Sequence, residues 1–249
     1  MDIVQHKKVT WIDFENPTDD DITYLQENFN IHPLAIEELV TPTYQPKVVQ
    51  YDGCLFLSIH IPLFDVEHRT TYPGELDIIL TADHLITSHR RSIYQLNKFF
   101  KDLEKSTGKR RESLEKTPTH LLHDLIEVLL DSCFPRLNHI SEKLDFIETQ
   151  VFAEKEKEMV FEISVLKRDI LNFRRTLKPQ RSILESVIQK NHRPFPQQVS
   201  GGNDHAHEVN EDRFRKLQVR YFLFRSPLLA PTPALLHPPL TETRDCITS

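Results

Sequence analysis

The apolar residues of this chain change their period once, between residues 112 and 118, and that change limits the fold more than any other feature. From Leu137 they fall at Ile140, Leu144, Ile147 and Val151, and after a charged break Ile163, Leu166, Ile170, Phe173 and Leu177 repeat the same alternation of three- and four-residue steps. A strand cannot keep that spacing on one face, whereas a helix of about 3.6 residues per turn can. The stripes predict two long antiparallel helices with a turn near residues 153–157, continuing through Leu184 and Ile188 to about Lys190.

Upstream the period is mixed. Val9 to Phe14, Lys47 to Tyr51, Cys54 to Phe64, Glu75 to Leu80 and Leu85 to Ser88 read as strands, with Leu55, Leu57, Ile59 and Ile61 sharing one face of the third. Thr18 is placed to cap a helix with Asp21 at the reciprocal position, Ile22, Leu25 and Phe29 follow at helical spacing, and Asn30 suits a left-handed ending. Pro33 opens a second short helix whose apolar face is Ile36, Leu39 and Val40. A third helix starts around Ile93 and Leu96 and ends near Gly108. The expected fold is α/β. A mixed β-sheet flanked by helices occupies residues 1–112, the long antiparallel helical hairpin 113–192, and a linker with an irregular, disordered tail 193–249.

Composition removes several function classes. With 31 Lys and Arg against 37 Asp and Glu, a net charge of −6 gives no global attraction to nucleic acid or anionic membrane. Cys54, Cys133 and Cys246 are far apart and form no CxxC pair, so neither a disulfide framework nor a zinc clamp is expected, and a reducing, cytosolic setting is. No run of about 18 apolar residues is present, and the tempting tail segment SPLLAPTPALLHPPL carries five prolines. There is no GxSxG turn, and five glycines leave little room for a phosphate loop, so no enzymatic activity is expected.

Three groups of side chains could carry chemistry. With Ile36 pointing inward, Leu39 and Val40 share its face, Glu37 lies on the flank and Glu38 faces nearly away, towards any approaching element or subunit. The same pair also suits solvated acids near a helix start. His120, Asp124, Glu127 and Asp131 fall within about a 60° helical stripe, where three mutually repelling carboxylates could hold a hard divalent ion such as Mg2+ or simply face solvent. The His123-Asp124 doublet fits metal-dependent phosphohydrolases only if further ligands come from neighbouring helices, and none can be placed. His6, His60, His84, His89 and His139 are scattered, and His205 and His207 form a short patch in the tail.

The segment WIDFENPTDDDITYLQENFNIHPLAIEELVTPTYQPKVVQYDGCLFLSIHIP resembles the CorA family of magnesium and cobalt transporters. Trp11-Ile12-Asp13, Ile31-His32-Pro33-Leu34, Glu37-Glu38, Gln45-Pro46-Lys47 and Tyr51 carry the resemblance, which continues through ELDIILTADHLITSH, PTHLLHDLIEVLLD and LKRDILNFRRTLKPQRSILESVI to cover roughly residues 9–192. It implies a cytoplasmic α/β domain from a homopentamer, in which divalent ions bound between subunits favour the closed pore. Glu37, Glu38 and, by alignment, Glu127 are implied as regulatory ligands for Mg2+, Co2+ or another divalent cation, with a third partner on a stalk helix. The sequence departs from that pattern after about Phe214, with no Gly-Met-Asn triplet, no stalk carboxylate and no pair of apolar spans. The expectation is therefore a cation-sensing domain truncated before stalk and pore, unable to transport ions alone. The alternative is a soluble helical-hairpin interaction module that has lost metal sensing.

Overall fold

A computed structural model describes residues 1–152, 156–191 and 216, with side chains placed for 1–151, 159–187 and Lys216. Six strands form one mixed sheet: β1 (Asp2–His6), β2 (Val9–Glu15), β3 (Lys47–Tyr51), β4 (Cys54–Asp65), β5 (Thr70–Leu80) and β6 (His84–His89). Their order is β1-β2-β6-β5-β4-β3, with β2 and β6 parallel and every other pair antiparallel. The expected mixed sheet is present. It gains β1, an edge strand whose five residues are too short to show a period and which buries only Val4.

Two helices precede β3. The capping box at Thr18 and Asp21 forms as the sequence predicts and starts α1 (Asp19–Asn28). Asn30 does not end it: the chain leaves through Phe29 in an extended conformation, and Asn30 is not among the residues of positive φ. Pro33 opens α2 (Pro33–Val40), and the His32 ring caps it by accepting from the Leu34 N–H at 3.3 Å. Gly53, at φ 73°, closes the two-residue turn between β3 and β4.

Among the described residues the sheet is followed by α3 (Tyr94–Lys105), α4 (Thr107–Leu114), α5 (Pro118–Asp131), α6 (Phe134–Phe152), α7 (Glu156–Leu177) and α8 (Gln180–Asn191). The helix expected to reach Gly108 stops at Lys105, because the Ser106 hydroxyl accepts from the Lys109 N–H and caps a new helix. The second hairpin helix does not run unbroken to Lys190 either. Pro179 interrupts it, since proline lacks the N–H and clashes with the preceding turn. Of the turn expected at 153–157, residues 153–155 lie outside the described residues, as does most of the tail.

Side chains alternate across the sheet and build two cores. On one face Trp11, Leu55, Leu57, Leu76 and Ile78 pack against α3, α5, α7 and α8. Trp11 meets Phe100 edge-on at 4.9 Å between ring centroids. On the other face Ile12, Phe14, Phe56, Ile79 and Ile86 pack against α1 and α2. The hairpin has a small core of its own, formed by Ile140, Ile147, Met159 and Leu166. Polar ties fasten it to the sheet: Thr71 donates to buried Asp169 at 2.6 Å, Asp169 pairs with Arg136, and Arg69 binds Glu162. Ile163, expected on the inner stripe, is 44% exposed.

Candidate metal centre

The carboxylates singled out by the sequence lie on two helices at opposite faces of the sheet. Ala35, Ile36 and Leu39 bury α2 in the smaller core, whereas Leu121, Leu122, Leu125, Ile126 and Leu129 bury α5 in the larger one. Within one chain the structure therefore brings Glu37 and Glu38 together and keeps Glu127 apart from them.

The orientation of the α2 pair reverses the expectation. Glu37 is exposed, and Glu38 is turned sideways and half-buried. The cause is Ala35, which is fully buried. Adding it to Ile36 and Leu39 rotates the inward stripe by roughly half a right angle, so Glu37 points away and Glu38 lies on the flank facing β3. There Tyr51 donates its hydroxyl to Glu38 Oε1 at 2.9 Å, and the Lys47 ammonium pairs with Oε2. Burial, with the Glu38 bond and charge added to it, pushes the Tyr51 phenol up to about 12, so at neutral pH it stays a donor. The His32 ring stacks on Tyr51 with centroids 5.0 Å apart.

Beneath this pair the sheet carries a second set of ionisable groups. The Thr43 N–H donates to Glu75 Oε1, and His60 Nε2 meets the Thr43 carbonyl at 2.9 Å. Buried Asp77 is pushed up to about 8, chiefly by burial and further by the Glu75 charge, against a smaller lowering by the Ser58 hydroxyl and by Lys47. Lys47 is thus shared electrostatically between Glu38 and the acids under it.

On α5 the expected acidic stripe is interleaved with imidazoles. His120 Nε2 lies 3.8 Å from Asp124, and His123 Nδ1 lies 3.6 Å from Asp124 and 4.0 Å from Glu127. His123, Asp124 and Glu127 offer ligand atoms all within 4.8 Å of one another. His123 was not in the predicted stripe, although its four-residue spacing to Glu127 put both on one face. Among the described residues, the group that could hold a metal ion is drawn from α5 itself.

The donor chemistry of the two places differs. Glu37 and Glu38 offer carboxylate oxygens, the hard donors Mg2+ takes while keeping much of its water, with the Lys47 ammonium already paired to Glu38. An imidazole beside Asp124 and Glu127 shifts the α5 cluster towards Co2+, Ni2+ or Zn2+. The tail histidines His205 and His207 lie outside the described residues.

Three comparisons bear on what such a chain is. Residues 6–212 match the family model described as CorA-like Mg2+ transporter protein. The chain is 29% identical over 182 residues to the putative metal ion transporter YfjQ of Bacillus subtilis, covering 73% of this chain and 54% of that one. It is 26% identical over 182 residues to the cobalt/magnesium transport protein CorA of Thermotoga maritima, covering 72% and 51%. The chain thus spans about half the length of these curated relatives. The soluble domain of CorA from Methanocaldococcus jannaschii superposes with a TM-score of 0.63 at 17% identity, over 89% of this chain and 85% of that one. The ZntB cytoplasmic domain from Vibrio parahaemolyticus superposes with a TM-score of 0.62 at 14% identity, over 90% and 85%. No helix among the described residues is long and apolar enough to cross a membrane.

Proposed function

From the premise that the chain belongs to the CorA-like Mg2+ transporter family, we propose that it is the cation-sensing domain of a divalent-ion transporter, in which Glu37, Glu38 and Glu127 bind Mg2+ or Co2+ between copies of the chain. The observation that carries this reading is the sheet lying between α2 and α5. Carboxylates on opposite faces of one subunit cannot share an ion within it, but they can meet across a contact between neighbouring subunits of a ring. A bound ion relieves the repulsion between facing carboxylates, and its loss lets the subunits separate. This is an electrostatic switch without covalent chemistry. Sensing and transport are separate tasks here, because the pore would be formed elsewhere in the assembly.

The test is thermal unfolding against Mg2+ concentration for the wild type and Glu38→Ala. The wild type gains melting temperature with Mg2+ and the variant loses most of that gain. An identical, ion-insensitive melting temperature for both would remove the sensing role.

A second reading has one observation in its favour. Phe146 on α6 and Val160 and Phe161 on α7 are 56%, 65% and 66% exposed, an apolar outer surface on the hairpin that a partner protein could cover. A strict monomer in size exclusion at high concentration, with no self-association removed by Phe161→Ser, would leave it without support.

A further inference from the structure

The end of β6 touches two different things from its two sides. Successive residues of a strand point to opposite faces, so Ser88 and Arg90 reach one face of the sheet while His89 reaches the other. On the first face the Ser88 hydroxyl donates to the Leu39 carbonyl at 3.2 Å, and the Arg90 guanidinium donates to the Val40 carbonyl. Both carbonyls belong to the last turn of α2, whose final C=O groups have no partners within the helix. On the second face the fully buried His89 ring is held at both nitrogens. Nδ1 faces the Arg91 carbonyl at 2.9 Å and Nε2 faces Asp13 Oδ2 at 3.3 Å. A carbonyl and a carboxylate only accept, so both ring nitrogens must carry hydrogen to satisfy the pair.

We propose that Ser88-His89-Arg90 is a clasp positioning the helix that bears Glu37 and Glu38, and that a proton on His89 keeps it closed. Its consequence for cation binding rests on the function proposed above; the clasp itself does not.

The surroundings of His89 fit this role. Thr87 donates to the other Asp13 oxygen and itself accepts from the Trp11 indole at 2.9 Å, which fixes the carboxylate. The Asn16 N–H donates to the His89 carbonyl at 2.7 Å, tying down the backbone. The Arg91 side chain is itself placed, its guanidinium lying 4.8 Å from the centre of the Tyr72 ring. Burial by itself disfavours the charged ring, but the bond and charge of Asp13, the Arg91 carbonyl and the Glu15 charge outweigh it and raise the His89 pKa above its ordinary value. Other ionisable groups on packed elements include Arg90 and Arg91 on its own strand end, Glu75 and Asp77 on β5, the latter in register with Ser88, Lys98, Lys101, Asp102, Glu104 and Lys105 on α3, Glu37 and Glu38 on α2, and His120, His123, Asp124, Glu127 and Asp131 on α5. Because the folded pKa is raised, the hold is complete below the unfolded value near 6.5 and is lost as pH rises through the folded value. Above that point neutral His89 can donate from one nitrogen only, and the strand end that carries Ser88 and Arg90 loosens from Asp13.

Hydrogen exchange on the full chain, without any metal, tests this. In the wild type, the protection of the α2 amides, corrected for intrinsic exchange, falls about tenfold from pH 6 to pH 9 relative to the β4–β5 amides. In His89→Gln it is reduced already at pH 6 and no longer changes with pH. A wild-type α2 whose relative protection is the same at both pH values overturns the proposal. So does His89→Gln keeping the full pH dependence, because titration of Asp77 would then be responsible. Should the variant fail to fold, imidazole 15N shifts of the wild type decide: both ring nitrogens bear hydrogen at pH 6.5, and a neutral His89 there ends the idea. These readings do not involve Mg2+, so an ion-insensitive chain could still have the clasp, and a sensing chain could lack it.

Discussion

The two faces of the sheet are made by the same strands and are held in different ways. The larger face receives α3, α5, α7 and α8 and buries a continuous apolar core running from Val4 to Val187. The smaller face receives α1 and α2, of ten and eight residues, over a core centred on Ile12, Phe14, Phe56 and Ile86. A two-turn helix has little apolar area to offer, and α2 adds polar ties: His32 at its start, Ser88 and Arg90 at its end, Tyr51 and Lys47 on its flank. The larger face carries most of the apolar packing, and the smaller one carries a short helix that leans more on polar ties.

Truncations on the two faces break this contrast if they cost the same. Trp11→Ala, which empties the larger face beside Phe99 and Phe100, is expected to cost about 4 kcal/mol in denaturant unfolding. Ile36→Ala is expected to cost about 2 kcal/mol, because a short helix settles partly into the space left behind. Equal losses would mean that α2 is as rigidly packed as the larger core.

The pH dependence of stability sharpens the comparison. The raised Asp77 carboxyl favours the fold fully below its unfolded value near 3.8, and that contribution is lost as pH rises through about 8. Asp77→Asn is therefore expected to flatten the decline in melting temperature over that window by a few degrees. An unchanged profile would show that Asp77 does not titrate in the fold.

The smallest effect on stability should come from Lys47→Gln. Its pair with Glu38 is partly exposed and is worth under about 1 kcal/mol. Because the ammonium stands where a divalent cation would approach Glu38, calorimetry should nevertheless show tighter Mg2+ binding, by several-fold. Weaker binding would mean that Lys47 orients the carboxylate rather than competing for it.

These contrasts also mark what a sequence makes legible. Five of the six strands, the Thr18 capping box, Pro33 at a helix start and the paired hairpin stripes were readable, because each depends on neighbours close in the chain. So was the family, through its run of motifs. The direction of Glu38 was not, because Ala35 counts as part of an apolar face only once a sheet lies beneath it. Nor were Tyr51 and Lys47 as its partners, 13 and 9 residues away across a loop and a strand. His89 looked like one scattered histidine among several. Its meaning comes from Asp13, brought alongside by a parallel pairing that no local signal announces.

The central claim is that acids on opposite faces of one sheet share an ion between copies. Paramagnetic broadening by Mn2+, used in place of Mg2+ in an NMR titration of the chain, tests it most directly. The account predicts broadening at low Mn2+ centred on Glu37 and Glu38 and simultaneously on Glu127, abolished at both places by Glu38→Ala. Broadening confined to His123 and Asp124, unaffected by Glu38→Ala, would contradict it.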